Sequence, residues 1–224
     1  DKNLWHISYE GGILEDPYNP PDEDMFEMTV SPLKAPDKPE VIEVEIKNGL
    51  LYRLNGKNLG IVEFINKLNA AGGRHGVGRA DIVENRLVGM KSRGVYESPA
   101  AAIINTVYRE IEHLVLDRDT YRMKQYLSIK YSELVYNGLW FTSLKNSLDA
   151  FFNASKNKMT GVVKLALYKG GCSILGRKSP YSLYWEELAT FEKDSLYNQK
   201  DAEGFINLFG LPIKIEALKG LNKK

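Results

Sequence analysis

Apolar positions along this chain recur with a two-residue spacing in some segments, and that spacing predicts strands. Apolar residues alternate with glutamates between 42 and 46, and Asn48-Gly49 then suits the positive φ angles of a type I′ turn before 50–54. A second hairpin is predicted over 161–175, where valine and leucine favour strands and Gly170-Gly171 suits a tight turn. Two antiparallel hairpins are therefore expected.

Other segments have apolar residues at helical spacing. The pattern over 61–68 predicts a helix that Gly72 is placed to end. Ser98-Pro99 predicts a helix start, with the serine hydroxyl as N-cap. Further helices are expected at 118–136, at 143–155 and, at least after Pro212, over 201–218. Because strands and helices mix without regular βαβ alternation, the predicted class is α+β, with an antiparallel sheet, hairpins packed by helices and an extended C-terminal helical segment.

Residues 14–40 fit neither spacing and are rich in proline, aspartate and glutamate. This composition predicts a long surface segment with at most one short helix near 22–29. The segment is uncommonly long for a plain connection. We therefore expect it to pack against another chain or against a domain that this chain lacks.

Charge and cysteine content narrow the possible functions. The 224 residues include 30 basic and 29 acidic side chains, so the net charge of +1 gives no general attraction to nucleic acid or an anionic membrane. Cys172 is the single cysteine and predicts a small half-buried side chain rather than a nucleophile. The chain shows no signal-peptide pattern or long apolar run, so we expect a soluble, cytoplasmic protein. The three histidines lack metal-ligand spacing, and no metal site is expected.

The block over 76–99 is the main candidate for chemistry. It holds four glycines and seven charged residues of both signs, which a folding core does not need. Glycine lets backbone approach a ligand closely, and charges of both signs suit a small zwitterion. The alternative is a solvated hairpin with ordinary surface ion pairs.

A family resemblance favours the ligand site. The block over 76–99 and the run His6-Ile7-Ser8-Tyr9-Glu10-Gly11-Gly12 resemble the C-terminal domain of argininosuccinate synthase, which condenses citrulline with aspartate using ATP. Further segments that are similar to this family lie at 131–138, 174–180 and 201–206. The resemblance covers essentially the whole chain.

The resemblance implies that Ser8, Glu84 and Tyr96 bind citrulline. A carboxylate such as Glu84 can accept charge-assisted hydrogen bonds from an ammonium group, while the two hydroxyls can bond a carboxylate or ureido group without adding charge. The alternatives are an ion pair of Glu84 with Arg86 or Arg79, ordinary packing for Tyr96, and an ordinary loop serine at position 8.

Three basic residues of the block, Arg79, Lys91 and Arg93, could face the nucleotide or pair with nearby carboxylates. The resemblance implies ATP as co-substrate, with Mg²⁺, and a reaction in which citrulline is adenylylated before the aspartate amine displaces AMP. The family's Ser-Gly-Gly-x-Asp-Ser-like phosphate loop does not occur in this sequence. ATP and most aspartate contacts are therefore expected on an N-terminal domain, and this chain is expected to be a C-terminal domain, inactive by itself.

Assembly is the last expectation. The resemblance implies a homo-oligomer, a tetramer in this family, whose C-terminal segments reach neighbouring subunits. We expect a synthetase domain at 1–200 and an oligomerisation segment at 201–224, because the latter holds more apolar residues than an exposed tail tolerates. The alternatives are that this segment folds back on its own core, or that the whole chain is a non-catalytic oligomerisation module.

Overall fold

The computed structural model describes residues 1–189, 198 and 200–221. Two compact units are present, Asp1–Leu183 and Tyr184–Lys224. The predicted functional boundary at residue 200 stays a prediction. The strands are β1 (Ile7–Tyr9), β2 (Glu40–Lys47), β3 (Leu50–Leu54), β4 (Lys57–Asn58), β5 (Arg79–Asn85), β6 (Lys91–Glu97), β7 (Gly161–Tyr168) and β8 (Gly171–Lys178). The α-helices are α1 (Ile61–Arg74), α2 (Pro99–Val115), α3 (Arg118–Tyr136), α4 (Ser143–Lys156), α5 (Glu186–Ala189), α6 (Asp201–Phe209) and α7 (Leu211–Leu218).

The strands form two antiparallel sheets. The larger sheet has the order β4-β3-β2-β7-β8, and the smaller one has the order β1-β6-β5. The predicted α+β class is confirmed. None of the helices within 1–189 and 200–221 is both long enough and apolar enough to cross a membrane.

Both predicted hairpins are present, with one change in a turn. Asn48 and Gly49 connect β2 to β3 with φ angles of 50° and 71°, as expected for a type I′ turn. In the second hairpin, the positive φ angles belong to Lys169 and Gly170, at 42° and 84°. The predicted Gly170-Gly171 turn is therefore wrong by one residue, because Gly171 already pairs in the β7–β8 ladder.

Helix α1 continues past the glycine that was expected to end it. A Cβ atom on Gly72 would lie 2.8 Å from Cβ of Pro99, and one on Gly73 would overlap the carbonyl oxygen of Met28. These glycines therefore allow close packing against α2 and the 14–40 segment, and the helix ends at Arg74. The prediction that Gly72 is a C-cap is wrong.

Helices α1 and α2 cover one face of the larger sheet. Helix α2 begins at Pro99, as predicted, but Ser98 makes no capping bond, and the Ala100 N–H donates instead to Oδ1 of Asn69 at 2.9 Å. The core between helices and sheet is aliphatic apart from one aromatic ring; its members include Ile42, Val44, Ile46, Phe64, Leu68, Ile103, Val107, Ile111, Val163 and Leu165. The predicted helices α3 and α4 and the helical C-terminal segment are also confirmed.

Candidate functional site

Pairing in the smaller sheet places the predicted site residues on one face. Ser8 of β1 lies opposite Tyr96 of β6, and Glu84 of β5 lies opposite Ser92 of β6. Directly paired residues share a face of an antiparallel sheet, and every second residue of a strand returns to that face. Ser8, Tyr96 and Glu84 therefore lie on the same side, which we call the site face.

Glu84 and Tyr96 are in direct contact. The Tyr96 hydroxyl donates a hydrogen bond of 3.1 Å to Oε1 of Glu84. Burial and the nearby Glu84 carboxylate raise the pKa of the Tyr96 phenol above its usual value. The phenol thus stays protonated at neutral pH and remains a hydrogen-bond donor next to a carboxylate.

The ion pairs proposed as alternatives for Glu84 are not formed. Arg86 donates to Glu10 at 2.7 Å, and Arg79 donates to Glu23 at 2.7 Å. Within the described part of the chain, no lysine or arginine nitrogen lies within ion-pair distance of the Glu84 carboxylate. This carboxylate therefore keeps its capacity to accept hydrogen bonds from a cationic group.

Ser8 lies beside Tyr96 but lines a different depression in the surface. Its N–H donates to the carbonyl oxygen of Asp1 at 2.8 Å, and its carbonyl accepts from the backbone nitrogen of Asp1 at 3.0 Å. The surface around Ser8 also includes Tyr9 and Glu10, whereas Glu84 lines a larger groove. The structure thus joins Glu84 to Tyr96 directly and places Ser8 on the neighbouring strand.

The groove beside Glu84 has a volume of about 1220 Å³ and a charged wall from α3 and α4. Tyr131 and Lys145 both donate to the carboxylate of Asp149, at 2.8 Å and 2.6 Å. The bonds from Lys145 and Tyr131 lower the pKa of Asp149 below its usual range. The Lys145 ammonium also lies 3.8 Å from the ring centroid of Trp140. Of these residues, Tyr131 and Asp149 line the groove, and Lys145 contributes to its wall through the bond to Asp149.

The three basic residues considered for the nucleotide, Arg79, Lys91 and Arg93, all occupy positions on the opposite face of the smaller sheet. Arg93 donates to both carboxylate oxygens of Asp81, at 2.8 Å and 2.6 Å, and also to the backbone carbonyls of Asp16 and Asn19. Its bond to Asp81 lowers the pKa of that carboxyl group. Arg93 therefore holds the 14–40 segment, in agreement with the structural alternative.

Arg79 has a similar role on that face. Its guanidinium donates to the hydroxyl of Thr29 at 2.7 Å and to the Thr29 carbonyl at 3.0 Å. It also stacks over the ring of Phe26, 3.7 Å from the centroid. Together with Arg93, it fixes the long segment to this chain's own sheet. The expected contact of this segment with another chain stays a prediction.

Glu97 is the main residue that the sequence patterns missed. Its fully buried carboxylate accepts from the Thr29 N–H and hydroxyl, the Met28 and Glu27 N–H groups, and the Tyr9 hydroxyl, at 2.6–3.0 Å. Burial alone would raise the pKa of Glu97, but these bonds outweigh it and lower the pKa. The only sequence signal for Glu97 is its position two residues after Val95. Alternate residues of a strand share a face, so a carboxylate here falls on the inward face that Val95 occupies.

Residues elsewhere add little to the candidate chemistry. Over 1–189 and 200–221, no group of three or more histidine, cysteine, aspartate or glutamate side chains is placed to hold a metal ion. Cys172 is half-buried, as predicted, and burial raises the pKa of its thiol. A raised pKa makes a thiol a weaker nucleophile at neutral pH.

Comparison with known proteins then identifies the family. The model of the family described as arginosuccinate synthase C-terminal domain matches residues 1–216. The chain belongs to this family. The resemblance stated from the sequence motifs is therefore confirmed over almost the full length.

Three relatives of this chain are named argininosuccinate synthase. An argininosuccinate synthase from Caldanaerobacter subterraneus subsp. tengcongensis is 56% identical over 224 residues, which is 100% of this chain and 55% of that protein. The protein of that name from Thermoanaerobacter sp. (strain X514) is 57% identical, with the same coverage. The one from Leptospira biflexa is 53% identical over 214 residues, 96% of this chain and 53% of that protein. The chain spans about half the length of the curated relatives that it matches.

Proposed function

We propose that this chain supplies the citrulline-binding part of an argininosuccinate synthase, with Glu84, Tyr96 and Ser8 as ligand-binding residues. The observation that carries the proposal is the Glu84–Tyr96 pair, a carboxylate held by a phenol and without a cationic partner within the described residues. Family membership supports the same assignment, because the three residues lie in the segments that carry the family resemblance.

The residue chemistry fits an amino-acid ligand. Glu84 would accept hydrogen bonds from the ammonium group of citrulline, and a charge-assisted bond of this kind survives partial burial. Ser8 would donate to the carboxylate or to the ureido oxygen, and Tyr96, whose single O–H proton goes to Glu84, would accept from a ureido N–H. The site face thus supplies one fixed negative charge and two neutral hydroxyls.

The remaining substrates would be held mainly by a second domain. In the proposed reaction, the citrulline ureido oxygen attacks the α-phosphorus of ATP and pyrophosphate leaves. The aspartate amine then attacks the ureido carbon, loses a proton and displaces AMP. Catalysis would rest chiefly on positioning and electrostatics, and no covalent enzyme intermediate is needed. Mg²⁺ would accompany ATP.

The test is a Glu84→Gln substitution in an enzyme in which this chain replaces the matching segment of the Caldanaerobacter relative. Loss of a hydrogen bond to a charged group costs roughly 1.5–3 kcal/mol, so the KM for citrulline should rise about tenfold to a hundredfold. The KM for ATP should change much less. Glu45→Gln is the matched control, because Glu45 is also a half-buried strand carboxylate but lies in the larger sheet. An unchanged KM for citrulline in a folded Glu84→Gln enzyme would contradict the proposal.

A specific observation also supports a role in assembly. The two C-terminal helices α6 and α7 expose many large apolar side chains, among them Phe205, Ile206, Leu208, Phe209, Ile213 and Leu218. Many exposed large apolar side chains on two short helices are typical of a protein–protein contact. We propose that residues 201–224 associate with other copies of this chain, most simply in a homotetramer.

Light scattering tests the proposed assembly. The intact chain should form an oligomer at micromolar concentration, and deletion of 201–224 should give a monomer. Deletion of 219–224 alone, which leaves α6 and α7 in place, is the control and should keep the oligomer. A monomeric intact chain would refute the assembly role without affecting the citrulline proposal.

A further inference from the structure

The ring of Tyr96 lies along strand β6 and covers Gly94. A Cβ atom on Gly94 would lie 2.5 Å from the Tyr96 hydroxyl oxygen, 2.7 Å from Cε2 and 2.7 Å from Cζ. All three nearest atoms belong to this one ring. A contact shorter than 3.0 Å forces one of the two groups to shift, and the group that can shift here is the outer end of the Tyr96 side chain, so the ring could not keep this position above any other residue type.

This leaning position is what allows Tyr96 to reach Glu84. In the ladder, Tyr96 is opposite Ala80, Gly94 is opposite Ile82, and Glu84 comes one further row along. Glu84 lies opposite Ser92, four residues along the strand from Tyr96 or roughly 13 Å, so a side chain standing upright on position 96 would end well short of Glu84. The observed bond of 3.1 Å therefore depends on the space above Gly94.

Backbone conformation does not explain the glycine. Gly94 pairs regularly with Ile82, and its φ angle lies outside the left-handed region that favours glycine. Glycine inside a strand weakens the strand and often marks a place of close approach. Here the group that approaches is a side chain of the proposed citrulline site.

We propose that Gly94 is a positioning residue, which sets the Tyr96–Glu84 geometry and thereby the affinity for citrulline. The inference rests on the proposed function. Gly94 itself touches no substrate, and its contribution is the absence of a side chain. A methyl group at this position would displace the phenol from Glu84 and leave the carboxylate without its neighbour.

The experiment uses the same chimaeric enzyme with Gly94→Ala, Tyr96→Ala and the double substitution. Gly94→Ala should raise the KM for citrulline roughly tenfold, the lower range for loss of a bond to a charged group, with little change in the KM for ATP. In the Tyr96→Ala background, the Gly94→Ala change should raise the KM for citrulline by less than about twofold, because no ring remains to be displaced.

Gly176→Ala is the matched control. Gly176 is also a strand glycine, but a Cβ atom there would meet no atom within 4 Å, so its citrulline KM should not change. If Gly94→Ala does not fold, the double substitution must fold, since the obstructing ring is absent. Failure of both to fold would overturn the inference.

The outcomes separate this inference from the proposed function. If Glu84→Gln raises the citrulline KM and Gly94→Ala does not, the positioning role is wrong and the citrulline site stands. An equal effect of Gly94→Ala with and without the Tyr96 ring would also overturn the positioning role. If a folded Glu84→Gln enzyme keeps the citrulline KM unchanged, the proposed function itself fails.

Discussion

Replacement of Glu97 by glutamine should destabilise the smaller sheet and the segment that packs on it. Oε2 of Glu97 accepts from the Tyr9 hydroxyl at 2.7 Å and from the Glu27 N–H at 2.9 Å. If the glutamine NH2 group takes the place of Oε2, it faces the Tyr9 hydroxyl and the Glu27 N–H, which are donors themselves and now bond to the carboxylate. The opposite orientation of the amide would affect Thr29 instead, whose N–H and hydroxyl both donate to Oε1.

The magnitude follows from the number of donors left unpaired. Each buried donor without an acceptor costs about 1–3 kcal/mol, and two donors lose their Glu97 oxygen in either orientation, although the Glu27 N–H keeps a longer bond of 3.3 Å to the Tyr9 hydroxyl. Because the Tyr9 side is partly open to water, we expect a loss of roughly 2–4 kcal/mol in the free energy of unfolding. This is a large fraction of the stability of an average domain.

Urea-induced unfolding followed by circular dichroism measures the loss. Glu84→Gln is the matched control in the same sheet, and we expect it to change the unfolding free energy by less than about 0.5 kcal/mol, because the glutamine amide oxygen can still accept from the Tyr96 hydroxyl. Hydrogen exchange gives a local measurement. The N–H groups of Met28 and Thr29 should exchange about 30-fold faster in Glu97→Gln, the equivalent of about 2 kcal/mol.

The effect should also depend on pH. The pKa of Glu97 in the folded chain is below its ordinary value of 4.5, so the unfolded chain binds more protons as the pH falls through this range. The stability contributed by the carboxylate is therefore full above about pH 4.5 and is lost as the pH falls through the folded pKa. The gap between the wild type and Glu97→Gln should narrow in acid. A constant gap, or unchanged protection of the two amides, would refute the reasoning.

Two further predictions concern packing and activity. Gly73→Ala should lower the free energy of unfolding by about 1–3 kcal/mol or more, because the new methyl group meets the Met28 carbonyl, whereas Gly176→Ala should be nearly neutral in the same urea titration. The 224-residue chain by itself should form no argininosuccinate from citrulline, aspartate and ATP in a coupled pyrophosphate assay, because it contains no phosphate-binding loop. Measurable turnover would show that the nucleotide site has been assigned to the wrong part of the enzyme.

Local sequence patterns were sufficient to predict the helices and strands and to identify the candidate site residues. The alternation over 42–46 and the Asn48-Gly49 turn determined the first hairpin, since both depend on neighbouring residues alone. Helical spacing likewise determined α2, α3 and α4 to within a residue or two. The motifs around Ser8, Glu84 and Tyr96 were recognisable as runs of sequence before any contact was known. The citrulline role of these residues stays a proposal.

Only the tertiary structure decided how charged residues and glycines are used. Glu97 accepts hydrogen bonds from Thr29, which is 68 residues away in the sequence. Arg79 donates to the same threonine from a sequence distance of 50 residues. Gly73 and Gly94 allow the approach of groups that a local pattern does not identify. The physical reason is that an ion pair or a close contact depends on two partners, and the fold alone brings them together. A sequence pattern contains the identity of each partner but not the distance between them.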